Sequence, residues 1–339
     1  NVTRLPAVFA EFSIPFERSH IYSIGIVDSH LVTDYYITEE GSGDRSGKSW
    51  ENAGDVNTFK TLVGYKADAN KEKKYAQILR TKGTTFHFGA GAYIFGDADN
   101  DRLTIDFNGA NGSLYSEFTI QGGYPADGGD EVSSDNVTTF SGENRYGILN
   151  VFDRARVHIN DVTFTKALGT SITTEETDIH AVNLGAALYM KQATTNKDKD
   201  KAAPRVWLTD CVFKNNVTNP SSGANTYIGG SAINLVHGAV YADHCIFLNN
   251  TDSHYNGCVK LSGKNNFASH QAYAFFNACL FKGNDLKDPT VNGGVVAQHR
   301  KGALLGMYNC TFYENLSTGG NCIHLDKSAI IANCTIVNN

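Results

Sequence analysis

Thr209-Asp210-Cys211-Val212-Phe213-Lys214-Asn215-Asn216 is echoed four times further along the chain: His244-Cys245-Ile246-Phe247-Leu248-Asn249-Asn250, Ala278-Cys279-Leu280-Phe281-Lys282-Gly283-Asn284, Asn309-Cys310-Thr311-Phe312-Tyr313-Glu314-Asn315 and Asn333-Cys334-Thr335-Ile336-Val337-Asn338-Asn339. The five cysteines are separated by 34, 34, 31 and 24 residues. Repeats of that length mean stacked units rather than one globular core. Within each copy Cys and Phe fall on one face, and Val212, Ile246, Leu280, Thr311 and Thr335 on the other. That is the period of a strand, so helical repeat arrays are excluded.

A second motif is interleaved with the first: Gly185-Ala186-Ala187-Leu188, Gly230-Ser231-Ala232-Ile233, Gly257-Cys258-Val259-Lys260, Gly294-Val295-Val296-Ala297 and Asn321-Cys322-Ile323-His324. Each coil therefore has at least two strands, with bend-tolerant Gly or Asn between them. Parallel stacking at about 4.8 Å would align Cys, Phe and Asn into ladders. The asparagines would then satisfy one another and the turning backbone. Asp161-Val162-Thr163-Phe164 reads as an earlier copy, so the cysteine ladder starts one coil after the phenylalanine ladder. The predicted fold class is all-β, a right-handed parallel β-helix. Residues 1–83 read as an N-terminal cap and entry segment, and residues 84–339 as the solenoid.

The alternating Gly-Gly-Ala-aliphatic and Phe-x-x-Asn motifs over residues 145–339 resemble the repeats of chlamydial polymorphic outer membrane proteins and related β-helical surface proteins of Bacteroidetes. Phe213/Asn216, Phe247/Asn250, Phe281/Asn284 and Phe312/Asn315 fit that pattern, while Ile336 replaces Phe in the last copy. Upstream, Tyr35-Tyr36-Ile37, Gly41-Ser42-Gly43-Asp44, Ser49-Trp50-Glu51-Asn52-Ala53, Phe86-His87-Phe88 and Gly122-Gly123-Tyr124 resemble the entry segment of secreted right-handed β-helices. The resemblance implies a pectin-lyase-like fold and a secreted or surface-displayed, outer-membrane-associated protein of a bacterium. It implies activity only weakly, since this scaffold hosts lyases, hydrolases, adhesins and passengers alike.

Composition agrees with one elongated domain: 339 residues, 41% hydrophobic, 33 glycines and 6 prolines. With 29 basic against 35 acidic residues the net charge is −6, and no basic patch interleaved with aromatics occurs, which argues against nucleic acid. No apolar run is long enough to span a membrane. Asn1 and Asn339 read as limits of a processed or trimmed product, from which a secretion signal and an anchor would be missing. Nothing in the pattern demands a second copy, so a monomer is expected.

The seven cysteines read as buried free thiols, because in-register neighbours on parallel coils have poor Cβ orientation for a bridge and the count is odd. One or two disulfides remain the alternative. Residues 56–82 carry a helix-like pattern at Phe59, Leu62, Val63, Tyr75, Ile78 and Leu79, fitting a short amphipathic helix over the open end. Asp44, Glu51 and Asp55 in the preceding polar loop are weak calcium candidates, since hard cations want oxygen donors. No other cofactor is indicated.

For chemistry, the Gly strand offers one cluster. Counting three residues past each Gly or Asn gives an outward column Leu188, Ile233, Lys260, Ala297, His324, and the next column Met190, Leu235, Ser262, His299, Asp326. Lys260, His299, His324 and Asp326 are thus expected on one exposed sheet, with Arg300 and Lys327 near its edge. Lys260, His299, Arg300, His324 and Lys327 would contact a polysaccharide or host-surface glycan. In a lyase, Lys260, His299 or His324 would take the proton α to a uronate carboxylate, with Asp326 beside them. Ordinary solvated side chains remain the bland alternative. The reading favoured is an adhesion or carbohydrate-binding module. A lyase, or other polysaccharide-degrading enzyme, acting on an acidic glycan comes second, and a passive stalk third.

Overall fold

The repeats wind into a parallel β-helix. In this computed structural model the described residues are 34–63, 66–67, 73–74, 83–96, 102–106, 116–152, 155–169, 187–191, 203–218, 229–253, 257–262, 272–287, 294–299, 303–317, 321–325 and 328–339. Four all-parallel sheets of nine, eight, five and seven strands run along it, and the strands of each are one coil apart in sequence. The coil from 238 to 262 shows the plan. Gly238–Asp243 lies in the nine-stranded sheet, Ile246–Leu248 in the eight-stranded, Thr251–Asp252 in the five-stranded and Val259–Ser262 in the seven-stranded.

Two left-handed residues make the sharp corners of each coil. Asp161, Asp210, His244, Ala278, Asn309 and Asn333 (φ 50–55°) turn the chain from the nine-stranded into the eight-stranded sheet. Lys166, Asn215, Asn249, Gly283, Glu314 and Asn338 turn it out again. Asn, Asp and Gly tolerate this conformation, which explains the composition at both corners. Ala155–Asn160 and Val162–Thr165 are accordingly two strands, bent at Asp161.

Immediately after the second corner sits the ladder asparagine. Asn216 Nδ2 donates to Asn250 Oδ1 at 2.9 Å, Asn250 Nδ2 to Asn284 Oδ1 at 2.9 Å, Asn284 Nδ2 to Asn315 Oδ1 at 3.0 Å, and Asn315 Nδ2 to Asn339 Oδ1 at 2.7 Å. Each Nδ2 also donates to the carbonyl of a phenylalanine one coil back, as Asn250 does to Phe213 at 2.8 Å. Each Oδ1 accepts a backbone N–H as well, as Asn250 Oδ1 does from Asn216. All four hydrogen-bonding positions of an interior amide are filled, so its burial costs little.

Inside, Phe164, Phe213, Phe247, Phe281 and Phe312 form a column of parallel rings with centroids 4.6–5.1 Å apart. Cys211, Cys245, Cys279 and Cys310 are buried beside it, and all seven cysteines are free thiols. The neighbouring ladder cysteine, and then burial, hold the Cys245, Cys279 and Cys310 thiols above the ordinary thiol range.

At the N-terminal end, helix Val56–Val63 closes the barrel. Asp55 Oδ1 accepts the N–H groups of Asn57 and Thr58 at 2.9 Å each, an N-cap. Phe59 and Val63, one turn apart, are buried, and the Phe59 ring meets Phe86 and Phe88 edge-on at 4.9 Å. The helix ends at Val63; Tyr75, Ile78 and Leu79, expected to continue the pattern, lie outside the described residues, as do residues 1–33. Strand Asp34–Ile37 pairs in parallel with Thr84–Gly89, so the nine-stranded sheet continues across the division drawn at residue 83.

Candidate functional site

Leu188 and Ile233 do not stand in the row of Lys260, where the sequence count placed them. Leu188 pairs with Ile233, Ile233 with Val259, and Val259 with Val296, all core residues. The outward row is Thr104, Asn150, Tyr189, Asn234, Lys260, Ala297, His324. The slip arises at Gly257, which lies one residue nearer its strand than Gly230 does, so a glycine marks the bend but not the phase. Lys260, Ala297 and His324 do share a row, and His299 occupies the register of Ser262 on the strand between them. The row is not exposed, however. Asn150, Tyr189 and Asn234 are buried, Lys260 is 3% exposed and His324 half-buried. Arg102, also buried, donates to Asn150 Oδ1 at 3.3 Å. A polymer arriving from solvent does not reach Lys260 as the chain is folded. The side chain of His299, and Arg300, Asp326 and Lys327 altogether, lie outside the described residues.

The three calcium candidates have structural work. Asp44 accepts the Ser46 N–H at 2.8 Å, and hydrogen bonds from Ser46 hold its carboxyl below the ordinary range. Asp55 is the helix cap and faces Arg45 at 3.5 Å. Glu51 is exposed, its carboxyl lowered by a hydrogen bond from Ser49. Among the described residues no group of three or more His, Cys, Asp and Glu is arranged to hold a metal ion.

A different face carries an organised array. On the outward side of the nine-stranded sheet, Thr119, His158, Trp207, Tyr241, Phe275 and Gly306 stand in one register. The rings stack parallel: His158 on Trp207 at 4.4 Å and 5°, Trp207 on Tyr241 at 5.6 Å and 13°, Tyr241 on Phe275 at 5.5 Å and 7°. All four rings are half-buried. Gly306 ends the column, because a Cβ there would lie 2.7 Å from the Phe275 ring.

Polar side chains flank this track. Asn160 Nδ2 donates to Gln121 Oε1 at 3.0 Å, and Gln121 Nε2 to Asp161 Oδ2 at 2.7 Å. Further along, Asn277 Nδ2 donates to Asp243 Oδ1 at 2.7 Å and Asn309 Nδ2 to Asn277 Oδ1 at 3.0 Å. Burial, with Asp210 nearby, raises the Asp161 carboxyl above its ordinary value against the Gln121 hydrogen bond. On the other side, Glu117 meets His158 at 3.1 Å and Arg156 at 3.9 Å, and Arg205 is exposed. Asp34, Glu117, Asp161 and Asp243 outweigh Arg156 and Arg205, so the face is acidic.

The sequence reading singled out the Lys260 row and missed this track. The signal was present: Trp207, Tyr241 and Phe275 each stand four residues before a ladder cysteine, and His158 four before Val162.

No family model matches the sequence, and no curated protein matches it. Among solved structures, the pectin methylesterase from Aspergillus niger aligns at 11% identity over 75% of this chain and 77% of that one, with a TM-score of 0.24. At that score the likeness carries no argument. The class of protein, a parallel β-helix, is defined by the strand pairing itself. Among the described residues no helix is long and apolar enough to cross a membrane.

Proposed function

We propose that this chain is a glycan-binding module, displayed at or beyond the cell surface, that takes an extended polysaccharide along the outward face of the nine-stranded sheet. One observation carries the reading: the stacked run of His158, Trp207, Tyr241 and Phe275, one ring per coil, beside side-chain amides and carboxylates. Aromatic faces stack on the apolar face of a sugar ring, while Asn and Asp read its hydroxyls. The coil rise, about 4.8 Å, is close to the advance per residue of an extended 1,4-linked sugar chain. The repeat resemblance to polymorphic outer membrane proteins supports the surface location.

The acidic balance of the face favours neutral or amino-bearing glycans over the acidic one first expected. It also weighs against a uronate lyase, whose enolate needs cations, as does the burial of Lys260.

The protein has only two tryptophans, so a Trp50→Phe variant makes Trp207 the sole indole reporter. Titration with xylan, chitosan and polygalacturonate oligosaccharides is expected to shift Trp207 emission with the first or second, and least with the third. No saturable shift with any of the three would overturn the reading.

A further inference from the structure

At the N-terminal end of the same outward face, three side chains from successive coils form a continuous hydrogen-bonded chain. His87 Nε2 lies 2.9 Å from Asp34 Oδ1, and His87 Nδ1 lies 2.8 Å from Tyr124 Oη. Asp34, on the first strand of the sheet, shares the register of Thr85, Thr119, His158 and Trp207. Asp34 therefore stands in line with the aromatic track, about 14 Å from His158 at three coil rises, and His87 stands beside that line, in the register of Tyr36 and Gln121.

The chemistry of the chain follows from its members. An ionised carboxylate only accepts, so Nε2 carries the proton toward Asp34 and the neutral ring accepts the Tyr124 hydroxyl at Nδ1. Both imidazole nitrogens are then used, and the hydroxyl of Tyr124 is the end of the relay that meets solvent. Its surroundings hold it in place. Tyr36 stacks on the His87 ring at 5.0 Å and 18°, Tyr124 meets that ring edge-on at 5.2 Å, and Trp50 packs against Tyr36 at 4.9 Å and Tyr124 at 5.4 Å. Gly128 passes beneath Trp50 so closely that a Cβ would lie 2.5 Å from the indole. The side chains of Asp34 and His87 are 48% and 17% exposed, and Tyr124 is half-buried, so the relay is reachable.

Carboxylate, imidazole and hydroxyl in this order are the arrangement that activates a hydroxyl or a water for attack on an acyl carbon. We propose that Asp34, His87 and Tyr124 form a hydrolytic site for an O-acyl ester carried by a glycan lying on this face, Tyr124 being the catalytic residue. A water on Tyr124 Oη gives a proton to that oxygen as the phenol proton passes to His87 Nδ1, while Nε2–H stays on Asp34. The water oxygen bonds to the ester carbonyl carbon. On collapse the bond from that carbon to the sugar oxygen breaks, and the sugar oxygen takes the proton back through the relay. One ester and one water become one alcohol and one carboxylic acid. Burial, then Tyr36, Asp34, Asp130 and Asp161, raise the Tyr124 phenol above its ordinary value. The phenol thus stays protonated, as a triad hydroxyl is.

The esterase site needs the glycan reading only for its natural substrate, so the probe is 4-nitrophenyl acetate, followed by acetate release from O-acetylated xylan. The expected result is saturable hydrolysis that falls on the acid side as the imidazole protonates. Tyr124→Phe and His87→Gln are each expected to lower kcat/KM at least about 100-fold, and Asp34→Asn to lower it with a shifted acid limb. Circular dichroism of each variant checks the fold, and Asp34→Asn, at a half-exposed position, is the least disruptive. A rate no faster than equimolar free imidazole, or a folded Tyr124→Phe that keeps the wild-type rate, overturns the site. Either result leaves a Trp207 emission shift with glycan intact, so failure here is distinguishable from failure of glycan binding.

Discussion

Replacing Asn250 by alanine is expected to destabilise the chain far more than the same change at Asn277, an exposed asparagine of the nine-stranded sheet. In the interior the substitution strands three buried groups. The backbone N–H and the Nδ2 of Asn216 lose their shared acceptor at 3.2 and 2.9 Å, and the Phe213 carbonyl loses its donor at 2.8 Å. Each unsatisfied buried group costs about 1–3 kcal/mol, so the sum is about 3–6 kcal/mol if water fills part of the gap. Such a loss is a large fraction of the stability of an ordinary domain, about 5–15 kcal/mol. Asn277 is exposed, so water replaces what its amide gives to Asp243 and the cost falls below about 1 kcal/mol. Urea denaturation followed by far-ultraviolet circular dichroism reads the difference, with hydrogen exchange confirming where the loss is local, since solenoids lose cooperativity easily. Equal costs at the two positions, or a cost under about 1 kcal/mol at Asn250, would refute the ladder as a major source of stability.

Ala278 adopts φ 50° at a corner where neighbouring coils use His244 and Asn309, so Ala278→Asn is expected to raise stability by about 1 kcal/mol, read as a higher urea midpoint. The buried thiols bear on pH. Their folded values lie above the unfolded one, so the unfolded chain ionises first, and stability is full at neutral pH and falls as pH rises above about 8.5. Cys245→Ala is expected to weaken that fall between pH 8 and 10, measured by thermal melting. Among the seven, Cys322 and Cys334 are half-buried and are expected to react first with a thiol reagent in the native state, whereas uniform reactivity would contradict the packed cysteine ladder.

The scaffold was legible because a repeated core leaves a repeated sequence. Phe213, Phe247 and Phe281 recur at one phase, and Asn216, Asn250 and Asn284 could be assigned to the turn before any coordinate was known. The functional face was harder to read. Leu188 and Ile233 were counted into the row of Lys260 from Gly185 and Gly230, and a glycine constrains the bend without constraining how many residues precede the strand. The burial of Lys260 was invisible for another reason: alternation tells which side of a sheet a residue faces, not whether that side meets solvent. The track of Trp207, Tyr241 and Phe275 was written four residues ahead of each cysteine, but aromatic residues in a strand usually signal core. Asp34, His87 and Tyr124 come from coils with no shared motif, and only stacking brings them together.

Two faces of the solenoid compete as the glycan's seat, the nine-stranded sheet and the Lys260 row. Affinity for the best-bound oligosaccharide, measured by isothermal titration calorimetry, is to be compared in two folded variants, Trp207→Ala on the nine-stranded sheet and Lys260→Ala on the seven-stranded one. Loss of about 1–3 kcal/mol of binding in Trp207→Ala, with Lys260→Ala near wild type, is the predicted result. Unchanged affinity in Trp207→Ala together with a loss in Lys260→Ala would contradict it and return the site to the Lys260 row.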